Sequence, residues 1–167
     1  MHKDDEEEFR EFVTSRMESL RGLAYLTCGD WQLAEDAVST VLAKLYTRWS
    51  RVVMLYSYAR RMVVNAAIDE TRRPWRRERS TSPELLDGPT PGEQGRADEL
   101  THVRDALREV PPGQRAVLVL RFYEGLSVDE TAEVLGRRRG TVKSQTAKGL
   151  GALRTALSAD QLEVTIR

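Results

Sequence analysis

One cysteine, Cys28, stands in a chain of 167 residues. An intrachain disulfide is therefore impossible, and the small disulfide-stapled secreted scaffolds are excluded. Only two histidines occur, His2 and His102, and neither has the H-x-x-x-H spacing of a helical zinc site. No Gly-rich phosphate loop is present, and no serine has a base pattern beside it. The sequence thus predicts no catalytic residue, no metal site, no cofactor and no enzymatic activity. No apolar run approaches the length of a membrane span. The N-terminus carries acid where a secretory signal would carry a basic segment and an apolar core. A cytoplasmic protein without membrane contact is expected. Strand-like alternation is almost missing, so no sheet is expected.

What is abundant is charge. Lys and Arg number 26, Asp and Glu also 26, and the net charge is zero. A neutral sum argues against a nucleic-acid partner, but the charges are segregated, and that matters more. Asp4 to Glu8 form an acidic run, which reads as a solvated tail before it reads as a cation site. Arg72, Arg73, Arg76, Arg77 and Arg79 form a basic run, and no acidic residue occurs from Arg137 to Arg154.

Helical periodicity runs through most of the chain. Phe9, Phe12, Val13, Met17, Leu20, Leu23, Ala24 and Leu26 predict a long first helix broken at Gly29 and Asp30. A second helix is predicted from Trp31 to about Trp49, then a loop over 50–55. A third follows from about Tyr56 to Arg72, with Ala59, Met62, Val63, Ala66 and Ala67 inward and Pro74 as its stop. Residues 80–96, STSPELLDGPTPGEQGR, have the composition of a flexible linker. Periodicity resumes at Ala97, turns at Pro111-Pro112-Gly113, and continues through Val117, Leu118, Leu120 and Phe122. The expected fold is all-α: two small helical domains on a flexible linker, the C-terminal one a four-helix domain with a helix-turn-helix. The boundaries read as 1–79, a linker over 80–97, 98–158 and a tail over 159–167.

The helix-turn-helix is the strongest signal. Ser127 and Glu130 form an S-x-x-E capping box that starts a helix. Val128, Thr131, Ala132 and Leu135 follow at helical spacing, with Ala132 small enough for a close crossing. Gly136 stands where a left-handed helix end is needed. The second helix takes Val142 as its buried anchor, with Ala147 and Leu150 continuing inward. Thr141, Lys143, Ser144, Gln145 and Lys148 are left outward. Such a helix suits the major groove of DNA, and an acid-free face suits phosphates. The competing reading is a solvated basic helix in an ordinary bundle.

The middle of the chain mixes Tyr56, Tyr58, Arg60, Arg61, Asn65, Arg72, Arg73 and Trp75. Cations for a backbone and flat rings for exposed bases hold single-stranded nucleic acid. The alternative is that both tyrosines are core and the arginines a solvated face. Two further function classes compete at this level: a stand-alone helix-turn-helix transcriptional regulator, and a DNA-processing enzyme, for which no convincing nucleophile exists. Cys28, in an apolar stretch, reads as packing.

Nearly the whole chain resembles the group IV, or extracytoplasmic-function, sigma factors of the sigma-70 family, in their SigE-like actinobacterial branch. The resemblance rests on DWQLAEDAVSTVLAKLYTRW (30–49), SYARRMVVNAAIDETRR (57–73), VPPGQRAVLVLRFYEGLSVDETAEVLG (110–136) and GTVKSQTAKGLGALR (140–154). It implies a promoter-specificity subunit of bacterial RNA polymerase, nucleoid-associated when in holoenzyme. Asp36, Ser39 and Leu42 would bind the clamp coiled coil of the largest core subunit, and the C-terminal domain would meet the flap of the second largest. Tyr58, Arg60, Arg61, Asn65, Arg72 and Arg73, with the 50–55 loop, would melt and trap the −10 element. Thr141, Lys143, Ser144, Gln145 and Lys148 would face −35 base edges or nearby phosphates. Lys143 would prefer guanine, whose O6 and N7 both accept. Arg137, Arg138 and Arg139 would clamp the DNA backbone. The acidic linker would thread toward the active-site channel, and an anti-sigma factor is a further partner the resemblance allows. The chain departs from the family pattern at Tyr58 (usually Trp), Ser39 (usually Gln), Leu42 (often Phe), Arg138 (usually a small polar cap) and Gln145 (often basic).

Overall fold

The computed structural model describes residues 2–72 and 94–166, with side chains at 2–72 and 101–159. The chain divides into two units, Met1–Arg79 and Ser80–Arg167. Arg73, Pro74, Trp75, Arg76, Arg77, Arg79 and the predicted linker up to Glu93 lie outside the described residues.

The first unit packs three helices against one another: α1 (Lys3–Cys28), α2 (Trp31–Thr47) and α3 (Leu55–Thr71). The acidic run belongs to α1: Asp4, Asp5 and Glu6 occupy its first turn, where the exposed N–H groups of a helix start favour negative charge. The run is solvated as expected, with Asp4, Glu6, Glu7 and Glu8 exposed, but it is helix and not a tail. Asp30 starts α2 by accepting from the Leu33 N–H at 3.0 Å. α2 stops at Thr47, two residues short of the expected end, and Trp49–Arg51 form one 3₁₀ turn that runs from that end into the expected loop. That turn buries Trp49, whose indole meets Phe9 and Phe12 edge-on at 5.3 and 5.6 Å. Apolar burial of Leu20, Leu23, Val38, Val41, Leu45 and Val63 closes the core. In α3, Ala59, Val63 and Ala67 are inward as expected, but Val64 and Ile68 complete the stripe while Met62 and Ala66 are half-buried. Cys28 is buried, consistent with packing.

Among the described residues the second unit holds four α-helices: α4 (Gln94–Arg108), α5 (Pro112–Leu118), α6 (Val128–Leu135) and α7 (Arg139–Ile166). α4 begins at Gln94, before the expected Ala97, and α7 runs through the residues expected to be a tail. Pro112 sits in the first turn of α5, where its missing N–H costs nothing. A five-residue π turn, Val119–Tyr123, follows α5 and shifts its register. Leu120 stays buried, but Phe122 and Tyr123 face out at 59% and 55% exposure, against the inward expectation for Phe122.

α7 is the axis of this unit, and α4, α5 and α6 all contact it. It packs tightly on α5 at Gly149. A Cβ there would lie 3.0, 3.1 and 3.3 Å from Leu118 Cγ, Cδ1 and Cδ2. Gly149→Val is therefore expected to destabilise the second unit by about 1–3 kcal/mol through overpacking. Valine's better helix propensity offsets only a few tenths of that. A thermal melt followed by helical circular dichroism checks it.

Candidate nucleic-acid interface

The helix-turn-helix is built as its sequence dictates. Ser127 Oγ accepts from the Glu130 N–H and Glu130 Oε1 accepts from the Ser127 N–H, both at 3.0 Å, closing the capping box that starts α6. Gly136 ends α6 at φ 62, a left-handed conformation that a side chain would strain. Thr131 and Val134 carry the buried side of α6, whereas Ala132 is only half-buried.

α7 buries Val142 completely and follows it with Thr146, Gly149 and Leu153 at steps of four, three and four. Thr141, Lys143, Ser144 and Lys148 are exposed, as their positions predict. Ala147 is exposed as well, which corrects its assignment to the inner face. Five residues past Val142 carry the helix about 140° round from the buried stripe. Ala147 thus joins Lys143, Ser144 and Lys148 on the open side, as a small apolar group of the kind that meets a thymine methyl.

The three arginines before α7 take three different positions. Arg138 is exposed, and its carbonyl accepts from the Val142 N–H at 3.0 Å, the first turn of α7. Arg139 is exposed and its Nε lies 3.0 Å from Asp129 Oδ1 in the first turn of α6. That pair is solvated and contributes little to stability, but it offsets a cation placed at a helix N-terminus. Arg137 is drawn inward. Its Nη1 donates to the Gly113 carbonyl at 3.0 Å and to Gln145 Oε1 at 2.8 Å. Gln145 is correspondingly half-buried rather than outward.

Two more arginines, neither singled out by the sequence, hold the turns that aim α7. Arg115, 7% exposed, donates to the Val110 carbonyl through Nε (3.3 Å) and Nη2 (3.0 Å) and to the Arg108 carbonyl at 3.1 Å. Arg121 Nη1 donates to the Leu126 carbonyl at 2.8 Å across the turn before α6. Each guanidinium meets main-chain acceptors that no helix satisfies.

In the first unit, Asp36 and Ser39 are exposed on α2, and Leu42 is half-buried one turn further on. On α3, Arg61 is exposed and Arg60 half-buried, and Arg72, which caps the helix end, is exposed. Asn65 Nδ2 donates back to the Arg61 carbonyl at 2.9 Å. The tyrosine rings are engaged within the fold: Tyr56 lies under Arg16 and Arg60 at 4.6 and 5.6 Å, and Tyr58 Oη accepts from Arg48 Nη1 at 3.1 Å. Both rings pack on the core, which favours the core reading of the two residues. The 50–55 loop instead offers Val53 and Met54, 93% and 70% exposed. Among the described residues no group of acidic, His or Cys side chains is arranged to hold a metal ion, and no helix is long and apolar enough to cross a membrane.

Residues 12–77 match the protein family described as Sigma-70 region 2, and residues 101–153 match Sigma-70, region 4. The chain is 33% identical over 163 residues to the RNA polymerase sigma-E factor of Streptomyces coelicolor, covering 93% of this chain and 89% of that protein. It is 31% identical over 153 residues to the ECF RNA polymerase sigma factor SigM of Mycobacterium tuberculosis, covering 89% and 76%. Among solved structures, the sigma factor RpoE in complex with the anti-sigma factor NepR from Bartonella quintana has a similar fold. The TM-score is 0.71 at 21% identity, over 92% of this chain and 98% of that one.

Proposed function

Because the chain belongs to the extracytoplasmic-function group of the sigma-70 family of RNA polymerase sigma factors, we propose a division of labour between its two units. As a sigma subunit, it gives promoter choice to a polymerase core. The second unit reads the −35 element as intact duplex, with α7 in the major groove. Thr141, Lys143, Ser144, Ala147 and Lys148 face base edges and nearby phosphates, and Arg138 and Arg139 fix register on the backbone. The first unit binds core through the exposed Asp36–Ser39 face of α2. It traps an unstacked −10 base between the Val53–Met54 loop and the Arg60, Arg61, Asn65 and Arg72 side of α3. Unstacking costs a few kcal/mol, which contacts to the exposed strand must offset. The chain does no chemistry of its own and works in the cytoplasm. An anti-sigma protein, of the kind crystallised with the Bartonella factor, is a further partner.

One observation supports the assignment of α7 above the others: its open side is polar and basic, with no acidic residue from Arg137 to Arg154. A solvated helix in an ordinary bundle has no reason to exclude acid over that length. Run-off transcription with purified core and a promoter library tests the function. Initiation from a set sharing one −35 and one −10 sequence is expected. Failure to associate with core, together with no start site, overturns the reading.

The role of α2 has its own test. Asp36→Lys reverses an exposed charge and is expected to weaken core binding on the order of tenfold. Affinity for duplex −35 DNA should stay unchanged. A pull-down with wild-type core affinity removes Asp36 from the interface.

A further inference from the structure

Gln145 occupies a recognition-helix position flanked by Thr141 and Lys148, yet its head group is turned away from the open side. Arg137 Nη1 donates to its Oε1 at 2.8 Å and to the Gly113 carbonyl at 3.0 Å. A guanidinium carries donors only, so the atom it meets is the amide oxygen, and this fixes which way the amide points. Gln145 Nε2 then lies 3.5 Å from where a Cβ on Gly113 would sit. Both ends of the amide therefore face the turn that begins α5. Gln145 and Arg137 are both half-buried, while Thr141, Lys143, Ser144 and Lys148 are exposed.

We propose that Gln145 is a latent base reader kept silent by Arg137, which acts as a positioning residue that decides which side chains of α7 read the −35 element. The proposal rests on the reading of α7 as the −35 helix. A free glutamine is a bidentate partner for adenine, accepting from N6 and donating to N7. That pairing needs both ends of the amide. Here the oxygen is held by a charge-assisted bond, about as strong as the base contact it would be exchanged for, and the nitrogen is packed over Gly113. Leaving the dock also strips Arg137 of one of its acceptors. Base preference in this protein then comes from the exposed set, and Gln145 enters it only when Arg137 is removed.

The test uses the full chain assembled with core polymerase and promoters randomised over the −35 element, with selected base frequencies as the readout. Gln145→Ala is expected to leave the preference at every position within about twofold of wild type. Arg137→Leu is expected to add a preference for adenine of about fivefold or more at one base pair. The double variant Arg137→Leu, Gln145→Ala is expected to lose that new preference and return to the wild-type profile. A loss of packing alone changes affinity for all sequences together and produces no such reversal. If Arg137→Leu unfolds by circular dichroism, Arg137→Met, which keeps the length of the stem, takes its place. A wild-type preference that Gln145→Ala flattens overturns the proposal. So does an Arg137 variant with no new preference, or with one that survives in the double variant. A wild-type chain with no base preference at all overturns the reading of α7 itself.

Discussion

Arg115→Ala is expected to cost the second unit about 3 kcal/mol or more, enough to unfold it while the first unit stays folded. Arg115 is 7% exposed and supplies three hydrogen bonds to the carbonyls of Arg108 and Val110. These carbonyls lie at the end of α4 and in the turn just past it, where no helical N–H remains to satisfy them. Hydrogen bonds to a charged group each contribute about 1.5–3 kcal/mol, and the buried carbonyls left behind carry a desolvation penalty. Burial of the cation opposes this, so the three bonds do not simply add. Arg115→Met removes the desolvated charge and keeps the stem, and is expected to lose less than alanine does. The two units can be watched separately. All three tryptophans, Trp31, Trp49 and Trp75, precede residue 80, so indole fluorescence reports the first unit. Helical circular dichroism reports both. In urea, Arg115→Ala should show a new early transition in the helical signal and an unmoved fluorescence transition. Two unchanged, coincident transitions would refute the role of Arg115 as the clamp on α4.

Lys143→Ala is expected to weaken recognition of the cognate −35 element by about 1–3 kcal/mol, roughly five- to 150-fold, and to relax preference at one base pair. Lys143 is exposed on α7, next to the buried Val142, so its removal leaves no cavity and no orphaned partner. Thermal stability and core affinity should therefore stay at wild-type values. The ammonium is a point donor for guanine O6 and N7, and the lost contact should fall on a G·C pair. Binding to cognate and singly substituted −35 duplexes, at one stated salt concentration, checks it. A uniform loss across all sequences would make Lys143 a phosphate contact. Equal wild-type affinity for cognate and scrambled sequences would contradict base reading altogether.

Arginine is where sequence and structure part most clearly. Arg115, Arg121, Arg137, Arg138 and Arg139 are one residue type within 25 positions. Two remain on the surface, and three turn to main-chain carbonyls. Nothing in the local pattern separates them, because the acceptors are presented by turns elsewhere. Arg137 is 24 residues from Gly113, and that distance is closed only when α5 packs on α7. Ala147 departs from its sequence pattern for a different reason. It is apolar, and so reads as inner, but the stripe set by Val142 runs through Gly149, whose lack of a side chain hides it from any hydrophobic pattern. Phe122 falls to the π turn, whose extra residue rotates the chain after Leu120.

Sequence by itself determined the class and the elements: all-helical, a capping box at Ser127, a left-handed stop at Gly136, an anchor at Val142 and an acid-free recognition helix. These rest on interactions within about four residues, which a linear pattern records in full. Tertiary structure alone decided which cations stay exposed on α7 and which turn to main-chain carbonyls, which way Gln145 turns, and which residues let α5 and α7 touch. Each of those depends on a donor meeting an acceptor, or a gap meeting a side chain, across elements far apart in the chain.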